Sequence, residues 1–355
     1  MRGNAAAPAH TGAVVLRSGL ARASGRVAYG RGAPWAGGPA ARSRLSTLRR
    51  SRSRSLRISW SCCRSPACGA GFGASAVGGE ATFRSGIAGP LLPGAEHIAP
   101  FACYRCHYGH PGPDACGLAC AEMAAYVLER EGDIAAVIAE PMRATPYPPP
   151  PGFWRRVREA CDRHGTLLIF DEIPTGLGKT GKFFASEHDG VTPDMIVLGK
   201  ALGGGILPIA AVIARRDLDV AGDYAIGHYT HEKNPVTARA ALTTIAIIRE
   251  EGLAERAAEL GRHSVGRLRD LMARSPAVGD VRGRGLLFGV EIVKDRGTRE
   301  PADALAERIY YRCLENGLSF KISQGNVLTL SPPLVISRED LDHALDIVED
   351  AVLAA

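Results

Sequence analysis

Lys200 follows the apolar run Met195-Ile196-Val197-Leu198 and precedes the small-residue stretch Ala201-Leu202-Gly203-Gly204-Gly205. Asp171 closes a second apolar run, Leu167-Leu168-Ile169-Phe170, 29 positions earlier. Both runs read as strands buried on both faces of a parallel sheet, and such sheets place their ligand sites at the carboxyl ends of the strands. Lys200 and Asp171 are therefore predicted to reach one sheet edge. A lysine beside glycines can approach a flat cofactor and form a Schiff base with it, while a buried aspartate can hold a pyridinium proton. The pair points to covalently held pyridoxal 5'-phosphate working as an electron sink.

The elements that must position these residues alternate along the chain. Residues 120–130 read as a helix, with Met123, Ala124 and Val127 at helical spacing. A strand over 134–139 ends at Glu140-Pro141, residues 146–151 form a stiff extended linker, and a helix is predicted over 153–164. Strands over 167–170, 195–198 and 209–214 follow. This order predicts an α/β fold with a mainly parallel sheet covered on both faces. Helices from 235 to about 251 and from 253 to about 275 lead to a smaller unit. It is predicted to hold a strand over 286–293, a helix over 302–316, strands near 318–322 and 327–330, and a helix over 338–353. Gly283, Gly285 and Gly289 miss the dinucleotide-binding spacing by one residue, so these glycines are read as tight turns, and the stretch 71–118, with Gly and Pro throughout and few periodic runs, is read as loop-rich.

Composition divides the chain. Residues 1–70 hold 13 arginines, no lysine and no acidic residue, a charge of +13 against a whole-chain +6, which leaves −7 on the other 285 residues. The basic segment is rich in Ser, Ala and Gly and cannot bury enough apolar surface to fold alone. It could be an organelle transit peptide or a nucleic-acid-binding arm. No apolar run reaches the ~18 residues of a membrane span. Nine cysteines without a secretory start point to a reducing compartment, the cytoplasm, or an organelle matrix if the basic segment is a transit peptide.

Residues 167–182 read LLIFDEIPTGLGKTGK and residues 193–205 read PDMIVLGKALGGG. With AAVIAEP (135–141), PPGFWRRVREACDRHGTLLIFDE (150–172), GHYTHEKNP (227–235), VRGRGLLFGVE (281–291) and NVLTLSPPL (326–334), the chain resembles the class III aminotransferases of pyridoxal-phosphate fold type I, the ornithine and 4-aminobutyrate type. The resemblance runs from about Gly73 to the C-terminus. It implies a large cofactor-binding domain over 73–250, N-terminally incomplete, a small C-terminal domain over 251–355, and a basic segment over 1–72. Because the family has a folded segment in that last place, an N-terminus that does not encode the expected structure is the preferred reading of it, and nucleic-acid binding is not favoured.

The resemblance also assigns roles. Lys200 would carry the cofactor and later move a proton at the substrate carbon, Asp171 would face the ring nitrogen, and Ile173 would pack on one ring face. Glu140 would help close the substrate pocket. Thr230 would reach the cofactor phosphate of the neighbouring subunit, which requires a homodimer. The implied activity is transfer of an amino group from an amine or amino acid to a keto acid. An ammonia-lyase or racemase on the same scaffold, or a non-catalytic remnant, are the alternatives. Taken singly, each residue has a blander reading: a surface lysine, a turn-capping aspartate, a loop glutamate, a core isoleucine.

Two departures accompany the resemblance. The Gly-Ser-x-Glu-Ala stretch with which relatives hold the cofactor phosphate at a helix N-terminus is missing, and each lost charge-assisted bond weakens binding by ~1.5–3 kcal/mol. Thr329 stands where many relatives have an arginine for the substrate carboxylate, so Arg105 or Arg143 is a candidate anion contact. Two other motifs are set aside. Cys103, Cys106, Cys116 and Cys120 have zinc-like spacing, but some relatives carry the same Cys-Tyr-Arg-Cys stretch without metal, so no metal is expected. Gly176 to Thr180 fails as a phosphate loop because its first glycine would fall on Ile173.

Overall fold

The computed structural model describes residues 72–79, 89–220 and 234–355, and the backbone of two short strands, Val14–Leu16 and Arg57–Ser59. The first sheet has seven strands in the order β1-β3-β2-β4-β5-β6-β7. These are β1 (Val14–Leu16), β2 (Arg57–Ser59), β3 (Ala95–His97), β4 (Ile134–Ala139), β5 (Leu167–Asp171), β6 (Met195–Leu198) and β7 (Ala211–Ala214). The five inner strands are parallel, and β1 and β7 run antiparallel at the two edges. Of the basic segment 1–72, the parts beyond those two strands and the start of the helix Phe72–Val77 lie outside the described residues.

Helices Ala119–Glu131 and Phe153–His164 pack together over this sheet. Their buried faces, with Ala121, Leu128 and Val157, follow the apolar spacing of the sequence. Phe153, Trp154 and Phe170 meet edge to face with centroids 4.6–4.9 Å apart, a geometry worth more than area alone. Trp154 Nε1 donates to the Pro141 carbonyl at 2.7 Å, so the core side chain also fixes the chain just beyond Glu140.

Helices Pro235–Glu250 and Leu253–Arg274 lead to the second sheet. Here β8 (Val278–Arg284), β9 (Leu287–Asp295), β10 (Glu300–Pro301), β11 (Lys321–Ser323) and β12 (Val327–Leu330) pair antiparallel around β9. Leu268, Leu271, Phe288, Val290, Ile309 and Leu345 form its core with helices Leu253–Arg274, Asp303–Glu315 and Arg338–Leu353. A large domain with a mainly parallel sheet and a smaller C-terminal domain is the arrangement that fold type I implies.

One expectation needs correction and one an addition. Residues 278–284 carry no apolar alternation and were expected to turn at Gly283, yet they form β8. Gly283 lies inside that strand because a side chain there would strike the Leu287 carbonyl at 2.6 Å, so the glycine permits close strand approach. Only Gly285, at φ +54°, makes the turn. The loop-rich stretch 71–118 contains the helix Phe72–Val77 and β3, for which no periodic run was singled out.

Candidate active site

Three adjacent strand ends deliver the three charged residues. β4 pairs with β5 through Ala139 opposite Phe170, and β5 pairs with β6 through Asp171 opposite Val197. Glu140, Asp171 and Lys200 therefore leave the sheet at the same carboxyl edge, as open parallel sheets place their sites. Asp171 is 2% exposed, and its Oδ1 accepts from the Ile173 amide at 3.0 Å. Glu140 is fully buried, its Oε2 accepts from the Ala144 amide at 2.9 Å, and its Oε1 has no hydrogen-bond partner among the described residues. Burial, then the charge of Asp171, pushes the Glu140 carboxyl up to about 8, while Lys200 and Arg143 pull the other way. Glu140 thus feels the charges of both Asp171 and Lys200.

Lys200 begins a tight turn that ends at Gly204, and its own backbone is left-handed at φ +42°. A non-glycine residue held there costs about 1–3 kcal/mol, a strain that concentrates at functional positions. Lys200 and Ile173 line a cavity of about 870 Å³ together with Thr145, Lys179, Thr329 and Ser331. The far wall is thus the segment after β12 in the small domain. On the near side, buried Glu172 ties the turn that follows β5. It accepts from Thr175 Oγ1 (2.8 Å) and from the Ala185 and Ser186 amides (3.0 and 2.9 Å).

Other expected residues lie elsewhere. Arg105 does not line the cavity. Its Nε pairs with Glu291 at 2.7 Å, and its Nη2 donates to Asn326 Oδ1 at 3.2 Å. Arg143 is buried, donates to the Phe101 carbonyl at 3.2 Å and stacks over the Tyr147 ring. Thr230, with His228 and His231, lies outside the described residues. Cys103, Cys106, Cys116 and Cys120 border one small void as free thiols, with Cys103 pushed up to about 11 and Cys120 to about 12, both chiefly by burial. Among the described residues no three such side chains are gathered to hold a metal ion.

Sequence reasoning passed over Lys179, whose Nζ donates to the Pro332 carbonyl at 2.6 Å and the Ser331 carbonyl at 3.3 Å. The signal was present in Gly176 to Thr180, but the stretch was weighed only as a phosphate loop. The residues present fit pyridoxal phosphate: a lysine and an apolar side chain, Ile173, lining the cavity, a buried carboxylate on the adjacent strand, and a buried Glu140 oxygen without a partner among the described residues.

An ammonia-lyase of Vibrio splendidus (strain 12B01) acting on (R)-1-hydroxy-2-aminoethylphosphonate is 42% identical, over 80% of this chain and 62% of its own length. A leucine/methionine racemase of Thermococcus litoralis is 41% identical, over 80% of this chain and 65% of its own. The chain thus spans less than two thirds of these relatives. A solved aminotransferase of Bacillus anthracis superposes with TM-score 0.74 at 31% identity, covering 81% of this chain and 67% of that one. The family described as aminotransferase class-III matches residues 63–352. With that match across most of its length, and with its lysine, aspartate and glutamate at one sheet edge, the chain belongs to the class-III aminotransferase family.

Proposed function

We propose that this chain is a transaminase moving an amino group from an amine or amino acid to a keto acid. The family is pyridoxal-phosphate-dependent. The observation that carries the reading is the convergence of Lys200, Asp171 and the half-satisfied Glu140 carboxyl at three neighbouring strand ends. When bound, the cofactor supplies an electron-withdrawing ring that accepts the electron pair of a bond broken at the substrate carbon.

The chain's own residues do the rest. The Lys200 amine would hold the cofactor covalently. The same amine, when not engaged with the cofactor, would be the base that accepts a proton from the substrate carbon and returns it nearby. Asp171, buried at the strand end, would hold the proton of the ring nitrogen, and Ile173, which lines the cavity, would pack on the ring. A Glu140 carboxyl raised to about 8 is mostly protonated at neutral pH, so it presents a hydrogen-bond donor rather than a second negative charge beside Asp171.

A second reading is ammonia release on the same scaffold, favoured by the 42% identity to the Vibrio ammonia-lyase. We further propose a homodimer, which the exposed Ile206, Val212, Ile213 and Leu242 around the Lys200 turn support. Sedimentation at micromolar concentration tests that point.

The decisive experiment adds pyridoxal phosphate to the purified full chain and follows its visible absorbance. A shifted band in wild type that is absent in Lys200→Ala is expected. Identical spectra would remove the enzyme reading. In the loaded protein, amino transfer only when a keto acid is present favours transamination, and ammonia release without one favours the lyase.

A further inference from the structure

We propose that Lys179 receives an anionic group of the substrate, a carboxylate or phosphonate carried by the same molecule as its amine. The inference rests on the proposed function, because it makes the Lys200 cavity the substrate site. Lys179 and Lys200 line the same cavity, and Thr329, on its small-domain wall, is neutral and already donates to Ser323 Oγ at 2.9 Å. That wall therefore holds no guanidinium at this position for an anion.

The ammonium of Lys179 is suited to the task. Two of its three N–H groups go to the carbonyls of Ser331 and Pro332, which leaves one donor for a ligand. Among the described residues no carboxylate pairs with it, and burial lowers the group to about 8. A half-buried cation without a counter-charge gains from an arriving anion, which restores the preference for its charged form. Lys321 also lines the cavity but is exposed on β11. Lys200 is committed to the cofactor.

Its backbone is fixed from several sides. Gly178 and Gly181, both at φ +89°, bracket Lys179, and a side chain at Gly181 would strike Ala258 at 2.8 Å. The Lys179 carbonyl accepts from the Leu286 amide at 2.9 Å, and Gly285 lies against the backbone of Thr180. The turn is wedged between the helix Leu253–Arg274 and the β8–β9 connection. An ammonium presented from so constrained a turn loses little freedom when an anion binds.

The test titrates the full chain, after incubation with pyridoxal phosphate and removal of the excess, with methylphosphonate and with acetate. Calorimetry reads binding of these amine-free anions without turnover. Wild type is expected to bind at least one saturably, with about 10-fold or greater weakening in Lys179→Met, the loss of roughly one charge-assisted hydrogen bond. Lys179→Arg should retain binding, and Lys321→Met should leave it unchanged. Preference for methylphosphonate assigns a phosphonate substrate, and preference for acetate a carboxylate. Should Lys179→Met not fold, Lys179→Gln, which keeps a donor without the charge, should show the same weakening. Equal binding in wild type and Lys179→Met, or a loss that follows Lys321 instead, overturns the assignment. So does the lack of saturable binding in wild type. If the Lys200-dependent absorbance is nonetheless present, only this assignment falls; if that absorbance is missing, the proposed function falls with its own test.

Discussion

Two glutamates, one in each domain, are completely buried, and their surroundings drive them in opposite directions. Glu140, at the end of β4, has one amide donor, an unpaired Oε1 and Asp171 for a neighbour. Glu291, on β9, pairs with Arg105 (2.7 Å) and Arg282 (2.6 Å) and accepts from the Tyr147 hydroxyl at 2.8 Å. Burial pushes both upward. At Glu140 Asp171 adds to that push and the carboxyl rises to about 8, whereas at Glu291 Arg282 and Arg105 outweigh it and the carboxyl falls below its ordinary range. A satisfied buried carboxylate ties the Cys-Tyr-Arg-Cys loop and the 146–147 linker to the small domain. An unsatisfied one beside Lys200 leaves bonding capacity for a ligand.

The contrast breaks most sharply at Glu291. Its replacement by alanine leaves Arg282 buried and Arg105 half-buried without their shared partner, although Arg282 keeps Asp280 at 2.6 Å. A loss of about 3–5 kcal/mol is expected, read as a fall in the urea midpoint. A loss under ~1 kcal/mol would mean that the arginines find water instead and that the cluster is not structural.

Glu140→Gln should act the other way, and pH separates the two. Because the folded value of Glu140 lies above its ordinary 4.5, its favourable contribution is complete below about 4.5 and is lost as pH rises through about 8. The Gln variant should therefore gain stability relative to wild type across that interval and match it at pH 4. Glu291, depressed in the fold, contributes above its ordinary 4.5 and loses that contribution as pH falls through its lower folded value. A wild-type-minus-Gln stability difference that is flat between pH 5 and 8 would contradict the Glu140 assignment. Activity with an amino donor should be largely retained in Glu140→Gln, which keeps a neutral donor, and should drop in Glu140→Ala, which removes it.

What was legible in the sequence follows the range of the interactions. Asp171 and Lys200 each end a short apolar run, so the parallel sheet and its functional edge follow from local pattern. β8 did not, because Gly279, Asp280, Arg282 and Gly283 interrupt any alternation, and the strand exists through its pairing with β9. The Glu291 cluster was hidden for a different reason: Tyr147 is 144 positions from Glu291 and Arg105 is 221 from Asn326. Arg105 read as a free anion contact only while its partners were out of view. Lys179 was visible, but the carbonyls of Ser331 and Pro332 that define its place arrive from over 150 positions away.

The smallest effect sharpens the comparison from within the Glu291 cluster. Tyr147→Phe removes one hydroxyl that donates to Glu291 Oε2 at 2.8 Å. The ring stays in place, with the Arg282 guanidinium 3.5 Å from its centroid and that of Arg143 at 4.9 Å, so packing and cation–π attraction persist. Glu291 retains both arginines, and the expected cost is that of a single hydrogen bond to a charged group, ~1.5–3 kcal/mol by urea unfolding. The visible absorbance at Lys200 should be unchanged, because Tyr147 does not line the cavity. A cost as large as that of Glu291→Ala would show that the hydroxyl, the carboxylate and the arginines are coupled as a unit. In that case their stability could not be divided among pairs, and the contrast with Glu140 would rest on the whole network rather than on one carboxylate.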